Sequence, residues 1–102
     1  MIDIQISEYT IQVRGHAQYA PRGHDIVCAS VSVLMLAFED SLQRSADKLE
    51  VFESDRSEGM RLTAVPEKSY EREYHAIRDM ICNALLDLGY TYPKYIKVST
   101  VT

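Results

Sequence analysis

The sequence predicts an α+β fold, a single-domain sandwich over residues 1–102 in which one mostly antiparallel sheet is covered by two helices. Two kinds of pattern predict it. Short runs with apolar residues at every second position recur along the chain, and between them lie two longer segments with apolar residues at helical spacing. In order they read strand, strand, helix, strand, strand, helix, strand, with no internal repeat, low-complexity tract or interdomain linker. A chain of 102 residues, 46% hydrophobic and 25% charged, can build one core. Folding at this length buries only about two-thirds of the unfolded surface, so a partner subunit is a candidate to cover the apolar area that remains.

The first strand places Ile2, Ile4 and Ile6 on one side, and the second places Ile11 and Val13 there after Ser7-Glu8-Tyr9, forming a hairpin that ends at Arg14-Gly15. His16 to His24 reads as a loop, with Gly15, Pro21 and Gly23 as breakers. Asp25 is the N-cap candidate of the longest helix, whose stripe is Val27, Val31, Leu34, Phe38 and Leu42. Glu39 to Ser45 turns polar, and the helix is expected to end there. Val33 and Leu36 fall outside the stripe, which predicts burial on two sides, by the sheet and by a second subunit. Leu49 and Val51, then Met60, Leu62 and Ala64, form a second hairpin across the charged segment Glu53 to Gly59, and Pro66 terminates it. Ser69 to Leu88 carries Tyr74, Ile77, Ile81, Ala84, Leu85 and Leu88 at helical spacing, with Gly89 as the expected stop. Ile96 and Val98 supply a last strand after Pro93.

Composition excludes several classes of function. Eleven Lys and Arg against fifteen Asp and Glu leave a net charge of -4, which argues against wide phosphate contact and so against a protein that coats RNA or DNA. Cys28 and Cys82 are too few for a disulfide scaffold and lack CxxC spacing, which suits a reducing cytoplasm. The start of the chain lacks the basic, apolar and small-residue parts of a signal peptide. The longest apolar stretch, Ile26 to Phe38, is interrupted by Ser30 and Ser32 and reads as too short to span a bilayer. A soluble, unexported protein is expected.

Reactive side chains crowd together only between Gly15 and Cys28, which holds two of the three histidines and one of the two cysteines. If Asp25 caps the helix, Cys28 lies in its first turn, where backbone N–H groups and the positive end of the helix dipole favour a thiolate. His16 or His24 can fold back from the loop as an acid–base partner. Each has a plainer reading beside this one. Cys28 can be an inert core residue, His16 and His24 ordinary strand-end and loop residues, and Asp25 a helix cap whose charge, facing the sulfur, would oppose thiolate formation. Asp25 assists only if it is bonded to the helix N–H groups or to the histidine. Ser32 lies one turn after Cys28 on the same side, where most serines bond back to the preceding turn. Tyr19 reads as a loop anchor, and Cys82 and His75 on the second helix have no companion chemistry. His16, His24 and Cys28 lack the paired spacings of zinc sites, so no metal and no cofactor are expected.

Gly15-His16-Ala17, Tyr19-Ala20, Gly23, Asp25-Ile26-Val27-Cys28-Ala29 and Val31-Ser32 closely resemble the signature of the ribosomal-processing cysteine protease family, Prp. The likeness is dense over residues 15–34 and continues more loosely through the element order and the closing Tyr92-Pro93-Lys94-Tyr95-Ile96-Lys97-Val98. It implies a bacterial, cytoplasmic endopeptidase with Cys28 as nucleophile and His16 as its base. Gly15, Asp25 and Ser32 match positions that support activity, and the loop carrying Tyr19 and Gly23 would meet the substrate. Members of the family remove an N-terminal extension from the twenty-seventh protein of the large ribosomal subunit and are homodimers. The implied partners are that extension and a second copy of the chain, with no direct nucleic-acid partner and no membrane. Ser30 stands where alanine is usual, and His24 falls at a variable position, which favours His16 as the base.

On this reading the oxyanion is held by N–H groups at the first turn of the Asp25 helix, and glycines at 15 and 23 make the intervening loop a lid. Glu53, Asp55 and Glu58 in the second hairpin, with Glu39 and Asp40 on the first helix, are candidates for a field that draws in a basic substrate. The rival readings are a non-enzymatic ribosome-associated or assembly-binding module, other thiol chemistry such as acyl transfer or redox sensing, and a related protease that cuts a phage protein.

Overall fold

The structure, a computed structural model, describes residues 1–21 and 23–101. The expected element order is observed: β1 (Ile2–Ile6), β2 (Thr10–Gly15), α1 (Ile26–Arg44), β3 (Leu49–Asp55), β4 (Met60–Pro66), α2 (Glu71–Thr91) and β5 (Ile96–Thr100). Short 3-10 turns at Ala46–Lys48 and Lys68–Tyr70 lead into β3 and α2, so α2 starts slightly later than Ser69. The strands form one sheet in the order β3-β4-β2-β1-β5. Neighbours are antiparallel except β1 and β5, which run parallel.

Register explains why the helices sit where they do. Ile4 pairs with Val13 and Val98, Ile11 with Ile6 and Leu62, and Ile2 with Ile96, and paired residues point to the same face of a sheet. That single apolar face packs against Val27, Val31, Met35, Phe38 and Leu42 of α1 and Tyr74, Ile81, Cys82 and Leu85 of α2 in one buried core. Leu34 of the expected stripe is only partly covered, because Met35 takes the central place. Val33 and Leu36 remain 64% and 48% exposed on the outer side of α1.

Several local readings are corrected. Glu39 belongs to the interior: it is 9% exposed, with Oε1 2.6 Å from Arg56 Nη2 and Oε2 accepting from Ser54. A carboxylate persists at that depth because it is paired and hydrogen-bonded. Leu49 and Val51 do not share a face, since a bulge between them turns Leu49 and Phe52 toward the core and leaves Val51 exposed opposite Val65. Gly89 does not stop α2, which runs on to Thr91; a Cβ on Gly89 would lie 2.8 Å from Val98 Cγ2, so glycine is needed for the close approach to β5. The helix ends at Arg44, within the Glu39 to Ser45 segment where it is expected to end, and so runs past the apolar stretch Ile26 to Phe38. At 19 residues and a mean hydropathy of 1.5, α1 is as long and apolar as a membrane-crossing helix, and here its inner face forms the core. Finally, Glu39 pairs with Arg56, Asp40 with Arg44, Asp55 with Arg61 and Glu58 with Arg14. Each of these acids faces a guanidinium, so the field expected from them is largely cancelled locally.

Candidate active site

The site begins where β2 ends. Gly15 has φ +86, and a Cβ there would run into the Met1 carbonyl oxygen, so only glycine can make this turn out of the sheet. The loop that follows returns the chain to the head of α1. There Asp25 Oδ1 accepts the N–H groups of Val27 at 3.1 Å and Cys28 at 2.9 Å, while Oδ2 accepts the Tyr19 N–H at 3.1 Å. One carboxylate thus ties the helix start to the loop. The Cys28 N–H, with help from the Tyr19 and Val27 N–H groups and the Cys28 thiol, holds the Asp25 carboxyl below the usual carboxylate range against an opposing desolvation. Both Asp25 oxygens are engaged by backbone N–H groups, but the carboxylate also accepts from the Cys28 thiol, so its charge faces the sulfur as well as the helix head.

Cys28 is half-buried in the first turn of α1. Its Sγ lies 3.2 Å from the backbone N of Ala17, the buried residue that follows His16. An N–H aimed at the sulfur stabilises negative charge there more than it stabilises a neutral thiol. Spacing does not reveal this contact, because it depends on how the loop folds back. The first-turn N–H groups, by contrast, do not serve as an oxyanion hole at Val27 and Cys28: the cap carboxylate takes both.

His16, Gly23, Asp25 and Cys28 line one cleft of about 700 Å³. On the other side of the sulfur, a smaller cavity of about 220 Å³ is lined by Gly15, His16, Cys28 and Ser32, with Gly59 and Met60 among its other walls. The structure therefore brings His16, Cys28, Gly15, Asp25, Gly23 and Ser32 together. His24 does not line either cavity; it is exposed, and its N–H donates to the Pro21 carbonyl. Tyr19 is likewise absent from the walls. Its ring stands edge-on to those of Tyr92 and Tyr95, with centroids 5.8 and 5.0 Å away, so it anchors the loop. Ser30 bonds back to the Ile26 carbonyl at 2.6 Å, which accommodates that departure from the family pattern.

Gly59 and Met60 are additions that the sequence did not single out for the site. The signal for them is the glycine itself: Gly59 has φ +82 and a Cβ would collide with the Val13 carbonyl oxygen, so the β3–β4 turn closes directly onto the end of β2. Cys82 lies in the core, and burial pushes its thiol up. His75 Nδ1 sits 2.8 Å from the Glu71 carbonyl, far along the chain from the loop. Among the described residues, no three His, Cys, Asp or Glu side chains are grouped to hold a metal ion.

The family model described as cysteine protease Prp matches residues 1–97. Staphylococcus aureus Prp, an essential ribosomal processing protease solved with a covalently linked product peptide, superposes with a TM-score of 0.81 at 20% identity, covering 99% of this chain and 100% of that one. The same protein with a substrate peptide gives 0.75 at 19% identity, again over 99% and 100%. A structure from Streptococcus mutans gives 0.68 at 18% identity, over 99% of this chain and 92% of the other. These likenesses are of fold, and no curated protein matches. With the family model spanning nearly the whole chain and Cys28 set at the head of a capped helix, this chain belongs to the Prp family of cysteine proteases.

Proposed function

We propose that the chain is a cytoplasmic bacterial endopeptidase that removes the N-terminal extension of a ribosomal protein, the twenty-seventh of the large subunit, with Cys28 as nucleophile and His16 as general base. The observation that carries the assignment of roles is the 3.2 Å contact from the Ala17 N–H to Cys28 Sγ. It lays the residue after His16 on the sulfur, while His24 lines neither of the cavities beside Cys28. His16 takes the thiol proton, and the sulfur attacks the scissile carbonyl carbon to form a C–S bond. As the C–N bond breaks, the imidazolium returns the proton to the leaving amine. Water, losing a proton to His16, then attacks the thioester; the C–S bond breaks and the thiol is restored. Asp25 keeps both the helix head and the loop in place throughout, and Ser32 and Gly15 shape the cavity beside the sulfur. A ribosomal substrate is supported by the Staphylococcus aureus relative, which is a ribosomal processing protease and was solved with substrate and product peptides. The exposed Val33 and Leu36 support a homodimer, since a second copy would cover them.

The test is cleavage of a peptide spanning the extension junction, followed by mass spectrometry. Cys28→Ala should leave no product while melting normally, His16→Ala should fall to residual turnover, and His24→Ala should keep most activity. Cleavage by Cys28→Ala, or an exchange of behaviour between the two histidines, would overturn the roles. A thiol-dependent activity that yields no new peptide N-terminus would mean acyl transfer instead of proteolysis.

A further inference from the structure

The closing segment Tyr92-Pro93-Lys94-Tyr95 takes no part in the chemistry above, yet the His16 loop rests on it. We infer that Tyr19 is a positioning residue for the reaction: with its ring edge-on to Tyr92 and Tyr95, it holds the loop so that the Ala17 N–H stays on Cys28 and His16 stays in the cleft that Cys28 lines. This rests on the roles proposed for His16 and Cys28.

Among the described residues, the loop bonds to the head of α1 at two places and buries Ala17 in the core. Ala17 reaches Cys28 Sγ at 3.2 Å and Tyr19 N–H reaches Asp25 at 3.1 Å, the latter contact lying in the open where water competes. Between them Gln18 adopts φ +54, a left-handed conformation uncommon for a residue with a side chain, which persists only when its neighbours hold it. The Tyr19 ring supplies that hold. It meets Tyr92 and Tyr95 at interplanar angles of 79° and 77°, the edge-to-face geometry that aromatic quadrupoles favour. Its seat is fixed in turn. The Tyr92 N–H bonds the Leu88 carbonyl at the end of α2, the Tyr95 N–H bonds the Tyr92 carbonyl, and the Tyr95 carbonyl accepts from Ile2 at the start of β1. That is the corner where Ile2 pairs with Gly15, so both ends of the His16 segment are tied to the start of β1. Because the Tyr19 ring lies outside the cleft walls, it acts through His16 and not on the peptide.

The experiment compares the full chain with Tyr19→Ala, Tyr19→Phe, Tyr95→Ala and the Tyr19→Ala/Tyr95→Ala double variant on the extension peptide, with Tyr95→Leu added in case the alanine variant melts early. Tyr19→Ala and Tyr95→Ala should each lower kcat about tenfold with KM within about twofold. Tyr19→Phe should behave as the parent, because it keeps the ring, and the double variant should lose no more than the worse single one. A Tyr19→Ala kcat within about twofold of the parent would overturn the clasp. So would a rise in KM at constant kcat, which would put the ring on the peptide, or losses that multiply in the double variant. Cys28→Ala and His16→Ala run alongside: if either cleaves like the parent, the underlying roles have failed, whereas inactivity there with a fully active Tyr19→Ala would sink the clasp alone.

Discussion

Replacing Gly15 with alanine changes the point from which the loop carrying the proposed base, His16, is launched. At φ +86 the new Cβ carries the cost of left-handed backbone for an L-residue, roughly 1–2 kcal/mol. It also meets the Met1 carbonyl oxygen, and forcing that pair apart adds about 1–3 kcal/mol, as overpacking does. Gly23 separates the two effects. Its φ is +90, but a Cβ there has nothing within 4 Å, so Gly23→Ala bears only the backbone cost. Gly15→Ala should therefore melt below Gly23→Ala by roughly 4–24 °C, taking about 4–8 °C per kcal/mol for a domain of this size. Displacing the end of β2 also moves His16, and a misplacement near 1 Å is worth about 10²-fold in turnover. Thermal melts of both variants, with peptide cleavage by Gly15→Ala below its melting temperature, give the two readouts. Equal melting temperatures would refute the collision, and near-parental turnover by Gly15→Ala would refute the claim that this turn aims the histidine.

Three further outcomes follow from the same geometry. Iodoacetamide at pH 7 should alkylate Cys28 far faster than Cys82, whose buried thiol is pushed up; digests taken over time and weighed by mass spectrometry would show the reverse order if the assignment were wrong. The Asp25 carboxyl is lower in the folded protein than its ordinary 3.8, so its stabilisation is complete above that value and fades as pH falls through the lower folded one. Melting of the parent should thus decline more steeply as pH falls below the ordinary carboxylate range than that of Asp25→Asn, and parallel curves would contradict this. Sedimentation at micromolar concentration should give about twice the 11.6 kDa chain mass, with Leu36→Glu reverting to monomer; a monomeric parent would leave Val33 and Leu36 without the cover proposed for them.

What could be read directly were features whose cause lies within a few residues. The alternation of Ile2, Ile4 and Ile6, the stripe through Val27, Val31 and Phe38, and the Asp25 cap are local patterns. Backbone periodicity and a cap that reaches three residues onward need no partner from elsewhere. The crowding of His16 and Cys28 within one loop and one helix start was legible for the same reason, and the motif likeness sharpened it.

Local patterns mislead where distant segments meet. Glu39 looked like a surface acid because its charge is local information, while Arg56 and Ser54, which make its burial tolerable, come from another hairpin. Gly89 looked like a helix stop because the nearness of Val98 is set by how α2 lies on β5. The bulge that separates Leu49 from Val51 is a property of the pairing with β4. The sequence by itself determined the order of the elements, most of their inward-facing residues and the crowding of two histidines and Cys28 around one helix start, since these follow from spacing along one backbone. Only the tertiary structure decided which donor reaches the sulfur, which N–H groups the cap consumes and which aromatic rings hold the loop. The Ala17 contact to Cys28 spans 11 positions and the Tyr19 ring meets Tyr92 and Tyr95 from the far end of the chain, so their geometry exists only once the sheet and helices have closed on a common core.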